Sequence, residues 1–166
     1  MFKDALSRIH HSIVKNGPTA LAIPCAFIPF NVQAKLLAKI LGKMFAEAIE
    51  DGDLDFLESK WLKVTVNDLK LTWYISFKHE NFIISETCAK EDVSFSGNSN
   101  ELILIAGRRE DPDTLFFQRR LSIQGDTELG LEIKNLLDNI EMDKLPDVTQ
   151  KGIKYMSGFV KGGLQA

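Results

Sequence analysis

Cys25, Cys88, His10, His11 and His79 are the side chains best suited to nucleophilic or metal chemistry, and their spacing supports neither. The thiolate is the reactive form of cysteine, and Cys25, between Pro24 and Ala26, has no neighbouring charge to favour it. It reads as a small buried hydrophobe. The two cysteines are far apart and form no CxxC, so neither a disulfide scaffold nor a zinc site is indicated, and a reduced compartment fits. His10 and His11 are adjacent, so on a helix they point in different directions and do not share a metal. A surface role is expected for them, and a hairpin turn for His79. Asp111 and Asp113 flank Pro112, which is turn chemistry before it is an acid/base pair. Arg108-Arg109-Glu110-Asp111 is a mixed, solvated charge run. No GxSxG elbow, GxxxxGK[ST] phosphate loop or GxGxxG fingerprint occurs. The sequence thus offers no catalytic residue, no metal site and no cofactor, and no enzyme is expected.

The 166 residues carry a net charge of −3, unevenly spread. Residues 1–46 hold six Lys/Arg against Asp4 alone, and residues 148–166 hold Lys151, Lys154 and Lys161 with no acid. The acidic excess lies between. Basic ends around an acidic middle suggest segments that meet an anionic membrane surface, and the acidic middle argues against nucleic acid. From residue 16 to 34 there is no charge, yet Pro18, Pro24 and Pro29 interrupt the stretch. A straight spanning helix of roughly 20 apolar residues is disfavoured, and an interfacial or pocket-covering segment is expected. Ile23, Phe27, Ile28 and Phe30 are its membrane-contact candidates. No convincing signal peptide opens the chain.

The elements that must position these groups follow from periodicity. Residues 2–15 read as an amphipathic helix (Phe2, Leu6, Ile9, Ile13) stopped by Asn16-Gly17-Pro18. Asn31 is the expected cap of a helix running to about Asp51, with Leu36, Leu37, Ile40, Leu41, Met44 and Phe45 on its apolar stripe. Lys35, Lys39 and Lys43 line another face. The period then becomes two: Leu62, Val64 and Val66, then Leu69, Leu71, Trp73, Ile75 and Phe77, then a strand over residues 82–88, forming an antiparallel meander. A fourth strand carries Val93 and Phe95. Asn98 and Glu101 suggest a capping box for a helix with Ile105 on its buried side. A fifth strand at residues 121–124 leads through Gly125-Asp126 to a helix bearing Leu129, Ile133 and Leu137. A last weak helix follows Pro146. The order is α+β.

Asp92-Val93, Phe95, Gly125-Asp126 and Leu129 to Leu137 fit the second half of a sterol-carrier-protein domain, and the chain resembles that family over nearly its whole length. Asp111-Pro112-Asp113-Thr114-Leu115-Phe116-Phe117-Gln118-Arg119-Arg120-Leu121, with Gly125-Asp126-Thr127-Glu128-Leu129-Gly130-Leu131, resembles its bacterial UbiT (YhbT) branch more specifically. Phe56-Leu57-Glu58, Trp61-Leu62 and Ile28-Pro29-Phe30 fit the same branch. The resemblance implies an α+β fold with a five-stranded mixed sheet covered by helices around an apolar cavity. It implies an accessory role in oxygen-independent ubiquinone biosynthesis, in the cytoplasm or peripheral to the inner membrane. Prenylated quinone intermediates or phospholipid would be the guests, and the hydroxylase proteins UbiU and UbiV the partners.

On that basis residues 1–30 form an extension, 31–145 the lipid-binding domain and 146–166 a terminal amphipathic helix. The expected cavity residues are Leu37, Leu41, Met44, Phe45, Trp73, Ile75, Phe77, Phe82, Phe95, Ile105, Phe116, Phe117, Ile133 and Leu137. Arg119 and Arg120 are candidates for a lipid headgroup, with a solvated strand edge as the other reading. Composition does not separate a lined cavity from a full core, since both use the same apolar residues. A scaffold that binds enzymes and no lipid therefore stands as the alternative.

Overall fold

A computed structural model describes residues 2–140 and 142–165; the side chains of residues 2–4, 18–26 and 144 are outside the description. The strict two-residue alternation folds as expected into β1 (Leu62–Val66) and β2 (Leu71–Lys78), joined by a turn and followed by β3 (Asn81–Ser85). β4 (Val93–Gly97) runs parallel to β1, and β5 (Leu121–Gly125) closes the other edge. The sheet order is β3-β2-β1-β4-β5 and all other pairings are antiparallel, so the sheet is mixed. Pairing Val64 with both Trp73 and Phe95 puts the large apolar side chains of three strands on one face. The opposite face carries Lys63, Thr65, Tyr74 and Ser94, the pattern of a sheet covered on one side only.

Helices cover the apolar face. α2 (Phe30–Met44) has Pro29 at its N-cap position, two residues before the expected cap Asn31. It ends at Phe45, where the chain breaks before α3 (Ala46–Glu50). α4 (Ser99–Ala106) follows β4, α5 (Pro112–Phe117) precedes β5, and α6 (Thr127–Asp138) follows it. The expected capping box at Asn98 and Glu101 does not form. Asp68, in the β1–β2 turn, accepts from both the backbone N–H and the hydroxyl of Ser99, while Glu101 turns inward. Asp111 and Asp126 do cap, accepting the backbone N–H of Thr114 and of Leu129. Gly125 has φ +108°, and a Cβ there would collide with the carbonyl oxygen of Asp92, so no larger residue fits between β5 and α6.

The expected stop at Asn16-Gly17-Pro18 is overturned: α1 runs from Phe2 to Ala26. Proline lacks the N–H that would bond the carbonyl four residues earlier, and an orphaned buried carbonyl is costly. Here that carbonyl belongs to Val14, and the side-chain amide of Asn100 on α4 donates to it at 2.8 Å. A donor from a distant helix thus replaces the missing one. α1 also packs on α7 (Asp147–Leu164), where Gly163 lies so close to Val14 that a Cβ would clash. Val14, Leu104 and Val160 form a small second core, separate from the main core beneath the sheet.

Candidate functional site

An apolar cavity of about 220 Å³ lies between the sheet and its covering helices. Leu37 and Leu41 of α2, with Phe45 at its end, form one wall, and Val64, Trp73, Ile75, Phe82 and Phe95 form the sheet wall. Leu102 of α4 and Ile133, Leu136 and Leu137 of α6 close the far side, with Leu57 and Leu62 at the base. No charged side chain is among them. Phe82 stacks edge-on to Phe77 at 5.3 Å and leans on Phe45 at 6.2 Å, closing one end with aromatic rings. The only polar atom of the lining side chains is the indole nitrogen of Trp73. It donates to Gln33 Oε1 at 3.0 Å, and Gln33 Nε2 donates to the carbonyl of Ile28 at 2.8 Å.

Nine of the fourteen residues expected at a cavity line it: Leu37, Leu41, Phe45, Trp73, Ile75, Phe82, Phe95, Ile133 and Leu137. Met44, Phe77 and Ile105 are buried in the same core without lining it. Phe116 and Phe117 are not at the cavity. They stack on each other at the end of α5, and Phe117 is 79% exposed. α5 is a six-residue helix that points its buried side chains, Pro112 and Leu115, inward and leaves the two rings outside. Leu57, Leu62, Val64, Leu102 and Leu136 line the cavity without having been expected there. For Leu62 and Val64 the signal existed: they share the inward parity of β1.

The polar candidates also separate. Arg120 donates to Glu101 Oε1 at 3.3 Å and to Glu110 Oε2 at 3.0 Å, so its guanidinium is engaged inside the protein. Arg119, at φ +60°, is exposed. Of the membrane candidates, Phe27 is 81% exposed and Ile28 44%, while Phe30 is half-buried. The side chain of Ile23 lies outside the described residues, as does that of Cys25. Val32 and Leu36 on α2 are exposed as well, and they share its outer face with Lys35, Lys39 and Lys43.

His10 and His11 are not idle on the surface. His10 Nε2 donates to the carbonyl of Phe159 and His11 Nδ1 to that of Gly163, both at 2.8 Å, fastening α1 to α7. Slight burial and Glu91 push the Cys88 thiol up, away from the thiolate. The hydroxyl and N–H of Thr114 hold the Asp111 carboxyl below its ordinary value, as its capping role requires. Burial pushes Asp138 up, reinforced by Asp113 and Asp111. Among the described residues no group of three or more His, Cys, Asp or Glu could hold a metal, and no helix is long and apolar enough to cross a membrane.

Residues 37–138 match the SCP-2 sterol transfer family, a span that takes in all of the sheet and the cavity. The ubiquinone biosynthesis accessory factor UbiT of Escherichia coli K12 is 41% identical over 160 residues, covering 96% of this chain and 91% of that protein. UbiT of Escherichia coli O157:H7 matches equally. Among solved structures, the ubiquinone synthesis protein UbiJ-SCP2 superposes with a TM-score of 0.56 at 18% identity, covering 67% of this chain and 93% of that one.

Proposed function

The chain belongs to the SCP-2 sterol transfer family, with UbiT among its relatives, and from that premise we propose that it is a lipid-binding accessory factor of ubiquinone biosynthesis without chemistry of its own. The observation that carries this reading is the cavity lined by apolar side chains beneath the sheet. Burying one methylene is worth roughly 0.8 kcal/mol, so a prenyl or acyl chain gains strongly by leaving water for such a space. The guests are prenylated ubiquinone intermediates or phospholipid. The enzymes served are those the resemblance implies, the oxygen-independent hydroxylase proteins UbiU and UbiV.

Delivery needs contact with the bilayer where such lipids reside. The outer face of α2 suits an anionic surface, because Val32 and Leu36 can enter the interface while Lys35, Lys39 and Lys43 meet phosphates. Phe27 and Ile28, just upstream, extend the same apolar edge.

Native mass spectrometry of the gently purified protein tests the reading. Copurifying phospholipid or isoprenoid is the expected result. Protein that is consistently empty and also fails to take up such lipids from vesicles would refute it, and would leave the enzyme-binding scaffold in its place.

A further inference from the structure

The cavity as it stands is too small for its proposed guest. Sites for drug-sized ligands measure about 300–1,000 Å³, and this one, lined by apolar side chains, is about 220 Å³. A wall must therefore move to admit a chain, and the walls differ in how they are fastened. The sheet is held by its ladders. α4 is tied to the β1–β2 turn by Asp68 and overlain by α7, and α6 packs on β4 and β5. α2 packs along the edge strand β3, but its first turn, entered at Pro29, has no side-chain cap. Among the described residues, its one side-chain hydrogen bond to the sheet is the one between Gln33 and Trp73.

We propose that Gln33 is the latch of a lipid portal between α2 and β2, and that an acyl or prenyl chain enters tail-first when the latch opens. This rests on the lipid-binding reading above. Gln33 is suited to the task because its two ends hold two different parts. Its carbonyl oxygen accepts from Trp73 in the cavity wall, and its amide donates to Ile28 in the exposed elbow that joins α1 to α2. The elbow residues Phe27 and Ile28 are the ones with most to gain from entering a bilayer. Drawing Ile28 outward pulls on the same amide that holds Trp73, so docking at a membrane and opening of the cavity are mechanically joined. Away from the membrane both hydrogen bonds re-form and the guest is shielded.

The test uses the full chain with Trp61→Phe, which leaves Trp73 as its one tryptophan. The probe is cis-parinaric acid, an 18-carbon fluorescent fatty acid that accepts energy from tryptophan, presented in stopped flow. A latch governs rates and leaves the end states alike. Gln33→Leu, which loses both hydrogen bonds, is therefore expected to raise the association and dissociation rates together by on the order of ten- to a hundredfold, the factor two net hydrogen bonds are worth, with Kd nearly unchanged. Gln33→Glu, which can accept from Trp73 but cannot donate to Ile28, is expected to fall between. It decides the matter if the leucine variant does not fold. Wild-type rates in the folded variants, or a changed Kd with an unchanged association rate, would overturn the latch while leaving the cavity reading intact. Absence of energy transfer from Trp73 in the parent protein would instead refute the cavity reading itself.

Discussion

Filling the cavity should make the empty protein more stable and its lipid uptake worse. Val64 sits mid-strand in β1 between Trp73 and Phe95 and lines the void. Filling unoccupied apolar space recovers about 24 cal/mol per Å³. Val64→Phe occupies about 50 Å³ of it and should recover about 1 kcal/mol. For a chain of this length that is a rise of roughly 2–4 °C in Tm, measured by circular dichroism on delipidated protein. Uptake of cis-parinaric acid should fall at least tenfold, because the aromatic ring stands where the chain would lie. Val66→Phe supplies the contrast: Val66 is 4% exposed on the same strand but does not line the void, so the same enlargement there should lower Tm. If Val64→Phe destabilises the fold as Val66→Phe does, by the roughly 1–3 kcal/mol typical of an overpacked core, the space is already full and the reasoning fails.

Arg120→Ala should destabilise the fold by about 3 kcal/mol, since it strands Glu101 in a site where that side chain is only 10% exposed. The double variant Arg120→Ala, Glu101→Leu should regain most of it in urea denaturation, and a single variant that unfolds like wild type would show that the pair carries no such weight. Asp111→Ala should lower Tm by a few degrees through loss of the α5 cap. Because the folded carboxyl is held below its ordinary value, the cap's contribution is present above the unfolded pKa of about 4 and is lost as pH falls through the folded value. The gap between wild type and variant should therefore close on acidification, and a gap that widens would contradict the assignment. Replacing Lys35, Lys39 and Lys43 by Gln should weaken cosedimentation with phosphatidylglycerol vesicles on the order of a hundredfold at low salt, at about 1 kcal/mol per basic residue. Unchanged binding would remove α2 from the membrane contact.

The elements legible in the sequence were those whose pattern is local and repeated. The alternation through Trp73, Ile75 and Phe77 fixed both the strand and the face it buries. The stripe of Leu37 and Leu41 did the same for α2. What escaped depends on partners far along the chain. Asn16-Gly17-Pro18 is a sound local stop signal, and only the amide of Asn100, 86 residues from Val14, lets the helix continue. Glu101 has the spacing of a capping residue, yet Arg120 draws it inward. Gln33 looked like one more polar residue in an uncharged stretch, because nothing in its neighbours announces a tryptophan forty positions away. The aromatic type of Phe116 and Phe117 suits a cavity wall, but residue type does not say which side of a short helix faces out.

The clasp between α1 and α7 has a consequence for how the chain is made. His10 bonds a carbonyl 149 positions later, and Val14 packs against Gly163. During synthesis α1 therefore emerges long before its mate, and Val14 waits without the helix it packs against, whereas Leu6, Ile9 and Ile13 stay exposed even after α7 docks. Until α7 has been made, the small core of Val14, Leu104 and Val160 lacks one of its three walls. Docking of α1 on α7 therefore waits for the synthesis of everything that lies between them.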